Sequence, residues 1–172
     1  PYGTTIVKPL NPSKQGYTFM GWSEAIPDTM PAYNLTLSAL WAGKTDIPYT
    51  VKHYKQSLDG TYVLEQTEEK TGATGQSTAA EAKTYTGFTV QDFTQKTIEA
   101  NGSTVVEIYY ERNYYIVNFN GNGSDDGFMG DQVFMYGEIG DLIANMYTRT
   151  DSNFIGWNTK KDGSGQSYTD QA

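Results

Sequence analysis

Side chains that could do acid–base, nucleophilic or metal chemistry are few in this chain. Its 172 residues include one histidine, His53, and no cysteine. A histidine-based triad, a cysteine zinc site or a thiol nucleophile therefore cannot be assembled from it. His53 alternates with Val51 and Lys55 in a strand-like run, so we expect it on a sheet face in a structural or surface role.

Two kinds of acidic pattern suggest chemistry at first sight. The first is a cluster formed by Glu65, Glu68 and Glu69. Paired carboxylates hydrolyse sugars only in a pocket that holds and distorts the substrate, so a solvated face is expected instead. The second is found at Asp125–Gly127 and Asp162–Gly165, which lack the alternating oxygen ligands and final glutamate of an EF-hand. We predict tight turns there.

A glycine-rich segment, Gly121–Gly123, follows a strand-like run but lacks the Lys-Ser/Thr ending of a phosphate-binding loop. The sequence thus predicts no catalytic residue, no metal ligand and no cofactor, and we expect a protein that is not an enzyme.

Composition narrows the class of protein further. The net charge is −8 without a basic stripe, so no nucleic-acid partner is expected. No apolar run approaches the roughly 20 residues of a membrane span, so membrane insertion is not expected either. Aromatic residues make up 14% of a chain that is only 37% hydrophobic, a mixture that favours thin, half-buried strands.

The elements that must position these residues are mostly strands. Alternation and turn residues predict strands over Tyr49–Lys55, Thr61–Glu65, Tyr85–Val90, Ser103–Tyr110 and Tyr114–Phe119. The alanine-rich segment Ser77–Lys83 predicts one helix of at most two turns. The expected class is mainly β, or α+β with that helix included.

An internal repeat links the two ends of the chain. Gly16–Trp22 and Asp151–Trp157 share the pattern Phe-x-Gly-Trp, with their tryptophans 135 residues apart (157 minus 22). Tyr-Gly pairs at 2–3 and 136–137 recur at an offset of 134. A sugar-stacking role for Trp22 and Trp157 is the alternative, but their repeated position favours the core. The predicted core anchors are Trp22, Trp41, Trp157, Phe19 and Phe154.

These motifs carry a family resemblance. Residues 114–172 resemble the Listeria–Bacteroides repeat, as in internalin B-type repeats, through Val117–Gly123, Asp131–Gly137 and Phe154–Thr159. Residues 1–43 resemble the later part of the same repeat, through Gly16–Trp22 and Leu35–Trp41. Residues 46–113 are similar to mucin-binding modules through Thr71-Gly72, Gly87-Phe88 and Gly102–Tyr110.

The resemblance implies tandem small β-grasp (ubiquitin-like) modules in an elongated array, held by short junctions. It also implies a secreted protein of a bacterial cell surface or cell wall, acting as a stalk, spacer or adhesive repeat. Binding of a glycan or host glycoprotein by the middle module is the alternative. The expected contact residues are then Tyr109, Tyr110, Tyr114 and Tyr115, one of each pair turning inward.

Each end module lacks one strand of the repeat that the other end retains. The first has no counterpart of Tyr115–Phe119, and the last has no counterpart of Leu35–Trp41. We hypothesise head-to-tail self-association by strand complementation, besides contacts between neighbouring repeats of one chain. A chain cut at arbitrary points is the alternative. Some surface proteins of this kind carry Lys–Asn isopeptide bonds. Lys8, Lys52 or Lys83 with Asn34 or Asn118 are candidates, and the sequence selects no pair among them.

Overall fold

Ten strands and no helix make up the computed structural model, which describes all residues 1–172. The strands are β1 (Tyr17–Trp22), β2 (Ala39–Gly43), β3 (Ile47–Gln56), β4 (Tyr62–Gly72), β5 (Phe88–Val90), β6 (Val105–Arg112), β7 (Tyr114–Val117), β8 (Gln132–Met135), β9 (Trp157–Asn158) and β10 (Ser167–Tyr168). They form one four-stranded sheet of order β4-β3-β6-β5 and three two-stranded sheets, β1-β2, β7-β8 and β10-β9. The mainly-β prediction is confirmed.

The helix predicted over Ser77–Lys83 is wrong, and with it the α+β class. Tertiary hydrogen bonds hold this segment in an irregular conformation. The Gln95 side chain accepts from the Ala80 amide at 2.9 Å and donates to the Ala80 carbonyl at 2.8 Å. The Ala79 amide donates to the Tyr49 hydroxyl at 3.0 Å. A helix of two turns is marginal in water, so these bonds outweigh alanine propensity. No segment forms a helix long and apolar enough to cross a membrane.

The core of the four-stranded sheet follows from alternation along its two central strands. One side of β3 and one side of β6 are buried because every second residue there points to the same face. The most deeply buried side chains are Val51, His53, Ile98, Val106, Ile108 and Tyr110.

Three strands run further than the sequence predicts, and β3 does so at both of its ends. β4 continues to Gly72 and β6 to Arg112, so Asn113 alone separates β6 from β7. Ion pairing offsets the charge of Glu68 in the extension of β4, because this carboxylate pairs with Lys83 and, at 3.8 Å, with Lys70.

The chain divides into two compact units. The first comprises residues 1–55, 62–83 and 90–109, and the second comprises residues 56–61, 84–89 and 110–172. The first contains the β1-β2 sheet, and the second contains the β7-β8 and β10-β9 sheets. The module boundaries predicted from the sequence stay predictions.

The two copies of the repeat share backbone geometry as well as sequence. The Tyr17 amide donates to the Lys14 carbonyl at 3.1 Å, and the Ser152 amide donates to the Arg149 carbonyl at 3.2 Å. Within these matching turns, Gly16 has a φ of 74° and Asp151 has a φ of 54°. One left-handed residue thus precedes the signature in both copies.

The signature glycines also match. Gly21 and Gly156 have φ values of 124° and 141°, which favour glycine in both copies. A Cβ at Gly156 would lie 2.7 Å from the Tyr168 carbonyl oxygen, whereas one at Gly21 would meet open space. Backbone conformation is therefore the shared requirement, and close approach applies only to the second copy.

The copies differ in strand pairing. In the first, β1 pairs antiparallel with β2, with Phe19 opposite Trp41 and a bulge before Gly21. In the second, residues 152–156 form no strand, and only Trp157–Asn158 pairs, with β10. The same signature is a strand only where a partner strand adjoins it.

Candidate functional site

Three tyrosines from three neighbouring strands form a row on the four-stranded sheet. Tyr54 of β3 stacks on Tyr109 of β6, with ring centroids 5.1 Å apart and planes at 15°. Tyr62 of β4 meets Tyr109 edge-on at 5.0 Å. All three are half-buried. They occupy the face opposite His53 and Tyr110, because adjacent strand residues point to opposite sides.

Two polar side chains hold the tyrosine row (Tyr54, Tyr62 and Tyr109). Glu107 accepts from the hydroxyl of Tyr54 at 3.4 Å and from that of Tyr109 at 3.3 Å. Gln91 donates from its amide to the Tyr62 hydroxyl at 2.8 Å. Burial, followed by the Glu107 charge, raises the pKa of the Tyr109 phenol.

This arrangement is chemically suited to two roles. Aromatic rings in contact across strands stabilise a sheet. Half-exposed rings flanked by a carboxylate and an amide also suit a ligand with an apolar face and a rim of hydroxyl groups, such as a pyranose ring.

On the face of the sheet opposite the tyrosine row, charged side chains cluster around His53. His53 is fully buried, with its Nε2 3.6 Å from a Glu68 carboxylate oxygen. Glu68 also pairs with Lys83 and, at 3.8 Å, with Lys70. Burial is the main cause that lowers the pKa of His53. The hydrogen bond from Lys83 is the main cause that lowers the pKa of Glu68.

This grouping corrects the solvated-face prediction for the acidic cluster. Glu68 lies half-buried between His53 and two lysines. The other two glutamates of the cluster lie at the surface. Glu65 pairs with Lys55, and Glu69 accepts from the Thr50 hydroxyl at 3.2 Å. His53 takes the structural position expected for it.

The Asp162–Gly165 motif begins in a turn, as predicted, whereas Asp126 of the Asp125–Gly127 motif instead forms an isolated β-bridge with Thr148. The Asp162 carboxylate accepts from the amide and hydroxyl of Ser164 at 3.0 and 2.8 Å, and these bonds lower its pKa. The Asp125 carboxylate accepts from the Thr150 amide, which lowers its pKa in the same way. No group of three His, Cys, Asp or Glu side chains is placed to hold a metal ion.

The predicted contact residues fall in different environments. Tyr109 belongs to the tyrosine row, whereas Tyr110 is 1% exposed and packs edge-on against Tyr85 at 4.8 Å. Tyr110 is therefore the member of its pair that turns inward, as the alternation predicts, and burial removes it from any contact surface. Tyr114 and Tyr115 lie on β7, in a different sheet, and are 60% and 53% exposed.

Sequence reasoning missed most of the site, namely Tyr54, Tyr62, Gln91 and Glu107. A signal existed for one of them. In β3, Tyr54 is an odd number of positions away from Val51 and His53, so the alternation of a strand places it on the other face. Its alignment with Tyr62 and Tyr109 depends on strand order and register.

The predicted core anchors form two small aromatic clusters. Phe19 meets Trp22 and Trp41 edge-on, each at 5.5 Å. Trp157 meets Phe154 and Phe119, each at 4.8 Å. Four of the five anchors are half-buried, and Phe154 is 42% exposed. That these five residues anchor the cores of the two end modules stays a prediction.

Comparison with known proteins places this chain beside one relative and one family. A protein named "Putative membrane protein" from Evansella cellulosilytica is 28% identical over 97% of this chain. The chain spans about a quarter (27%) of that relative's length. No solved structure matches the chain. The model of the Listeria-Bacteroides repeat domain matches residues 1–40 and 115–172, which is more than half of the sequence and includes both copies of the signature. The chain therefore belongs to the Listeria-Bacteroides repeat family.

Proposed function

We propose that this chain is a non-catalytic segment of a bacterial surface protein, which serves as a stalk or spacer or as an adhesive repeat outside the cell. The observation that carries the proposal is the presence of two copies of one family repeat around a different middle segment. The name of the Evansella relative, which refers to a membrane protein, supports a location at the cell envelope.

We further propose that residues 46–113 form a β-grasp module similar to mucin-binding modules. The sheet order β4-β3-β6-β5 supports this fold, since the first strand of the hairpin lies beside the last strand. In this module, the irregular segment around Ser77–Lys83 takes the place of a helix.

A graft tests the spacer role. The 172-residue chain is inserted, in one or two copies, between a small epitope and a cell-wall anchor on a Gram-positive bacterium. We expect antibody access to the epitope to rise with each copy, because the inserted chain moves the epitope away from the wall. A flexible Gly/Ser insert of equal length is the control. Access that does not change with copy number would contradict the spacer role.

The tyrosine row supports a second candidate function, the binding of a glycan or host glycoprotein. Tyr109 and its two neighbours present half-exposed rings beside Glu107 and Gln91. We propose that a pyranose ring packs against these rings and bonds to the flanking carboxylate and amide.

A glycan array and titration calorimetry with the intact chain test this second function. If it is correct, Tyr62→Ala weakens binding about tenfold, the equivalent of one lost ring contact. Tyr2→Ala, which alters a tyrosine outside the row that is 78% exposed, leaves binding unchanged. No binding by the unaltered chain would reduce the row to a cross-strand contact and favour the spacer role.

A further inference from the structure

The chain enters and leaves the four-stranded sheet through its two central strands. β3 is the first strand of this sheet along the chain and β6 is the last, and the two lie side by side in the order β4-β3-β6-β5. When the residues before β3 and after β6 are drawn apart, the tension therefore acts on two neighbouring strands. The relative direction of these strands decides how the sheet resists it.

The contacts between β3 and β6 show that the two strands are parallel. Three cross-strand contacts rise in residue number along both strands. They are the hydrogen bond from the Thr50 amide to the Thr104 carbonyl at 3.0 Å, the stack of Tyr54 on Tyr109, and the bond from the Arg112 amide to the Gln56 side chain at 3.1 Å. The start of β3 and the end of β6 consequently lie at opposite ends of the pair.

This geometry places the contacts between β3 and β6 in shear. Tension at the start of β3 and at the end of β6 pulls the two strands along their length in opposite directions, so the hydrogen bonds of the parallel ladder are strained together. Sliding the strands also exposes Val51 and Ile108, which are completely buried. Peeling the strands apart from one end breaks the same bonds one after another and needs less force.

Little slack separates β3 from the first copy of the repeat. Only residues 44–46 lie between β2 and β3. Lys44 is bonded on both sides, because its amide donates to the Gly16 carbonyl and its carbonyl accepts from the Thr74 amide, each at 2.9 Å. The Thr74 hydroxyl donates to the same Gly16 carbonyl at 2.7 Å. Tension on the first copy therefore reaches β3 directly.

The junction after β6 is built in the same way. Asn113, the one residue between β6 and β7, donates its amide to the Gly87 carbonyl at 2.9 Å and accepts from the Tyr136 amide at 2.8 Å. The Tyr136 ring packs on Gly87 and leaves no room for a Cβ there. The Arg112 guanidinium donates to the Tyr136 carbonyl. The second copy of the repeat is thereby coupled to the end of β6.

We propose that the middle segment (residues 46–113) bears tension, and that its parallel β3-β6 pair resists forced unfolding in shear. A surface spacer meets such tension when an object bound at its outer end is pulled away from the cell, so this use rests on the proposed spacer role. The resistance itself follows from the direction of the two strands and is measurable without a cell surface.

Single-molecule force spectroscopy of the intact chain tests the proposal, and the absence of cysteine allows handles to be attached at chosen residues. In the shear variant, the handles are attached at Asp46→Cys and Tyr114→Cys, on either side of the β3-β6 pair. In the matched control they are attached at Leu58→Cys and Tyr114→Cys, which follow the ends of β3 and β6 at the same end of the pair. We expect the shear variant to unfold at a force about twofold higher or more, because its ladder bonds break together.

The two variants differ only in where the force is applied, and circular dichroism verifies that both are folded. Equal unfolding forces in the two geometries would overturn the proposal. The epitope graft is read separately from this measurement. Equal forces with epitope access that rises with copy number would reject the resistance to tension alone. A higher force in the shear variant with unchanged epitope access would reject the spacer role alone.

Discussion

Backbone conformation at single residues makes the repeat visible in the structure. Gly16 has a φ of 74°, and a Cβ at this position would lie 2.5 Å from the Ala100 Cβ. Left-handed strain and atomic overlap together are expected to make Gly16→Ala destabilising by about 2–4 kcal/mol. Urea unfolding followed by tryptophan fluorescence measures the change.

Gly3→Ala is the matched control for this substitution. Gly3 has nearly the same φ, 80°, but a Cβ there would meet no atom within 4 Å. Replacing Gly3 should lower the free energy of unfolding only through the unfavourable φ, by about 1 kcal/mol. Equal losses for the two variants would show that contact with Ala100 is unimportant.

His53 makes stability depend on pH. Burial lowers its pKa in the folded state below 6.5, so the unfolded chain binds more protons below that pH. The free energy of unfolding is therefore expected to fall as the pH drops below 6.5 towards the folded-state pKa. The pKa of Glu68 is also lowered, so the free energy of unfolding falls further at pH values below 4.5.

The single histidine makes this prediction directly measurable. Proton NMR of the His53 ring, recorded as the pH is lowered, should give a midpoint below 6.5 while the protein stays folded. Urea unfolding of His53→Gln should lose the pH dependence that begins at 6.5 and retain the part due to Glu68. A ring that titrates at or above 6.5 would contradict the buried, neutral histidine.

At the scale of the elements, cross-strand contacts hold the four-stranded sheet together. Tyr54 and Tyr109 stack between β3 and β6, the two central strands. A double-mutant cycle with Tyr54→Ala and Tyr109→Ala should give a coupling energy of about 0.5–1.5 kcal/mol. A cycle that combines Tyr54→Ala with Tyr33→Ala, a residue outside the row that is 65% exposed, should give almost none. Similar coupling in both cycles would mean that the stack is not specific.

The elements also show why strand prediction succeeded unevenly. The alternating runs in β3 and β6 were predicted near their correct positions, because one buried face imposes a period of two on the sequence. Residues 152–156 carry the same signature as β1 but form no strand. Local sequence cannot reveal whether a partner strand is present, and the backbone groups of a strand need that partner.

For the whole molecule, net charge controls how readily copies approach one another. Each carries a charge of −8, so copies repel at low ionic strength, where the screening length is about 30 Å at 0.01 M. At 0.15 M it shrinks to about 8 Å. We therefore expect any association between copies to be weaker at 0.01 M than at 0.15 M salt, where the general repulsion is screened. Sedimentation velocity at the two salt concentrations measures this effect, and weaker association at 0.15 M would instead indicate ion pairs between copies.

The sequence alone determined the properties that depend on residue type and spacing. Duplication was visible in Phe19 and Trp22 against Phe154 and Trp157, and the mainly-β class followed from alternation. The absence of cysteine and the single histidine limited the available chemistry in the same way. These inferences hold because residue types and their spacing can be read along the chain without knowing which distant residues come into contact.

The tertiary structure decided what is brought together from distant parts of the chain. It replaced a helix with an irregular segment bonded to Gln95, buried Tyr110 and drew Glu68 towards His53. It also aligned Tyr54, Tyr62 and Tyr109 into one row. Strand order and register set these contacts, and both arise from the packing of the whole sheet, which no short stretch of sequence specifies.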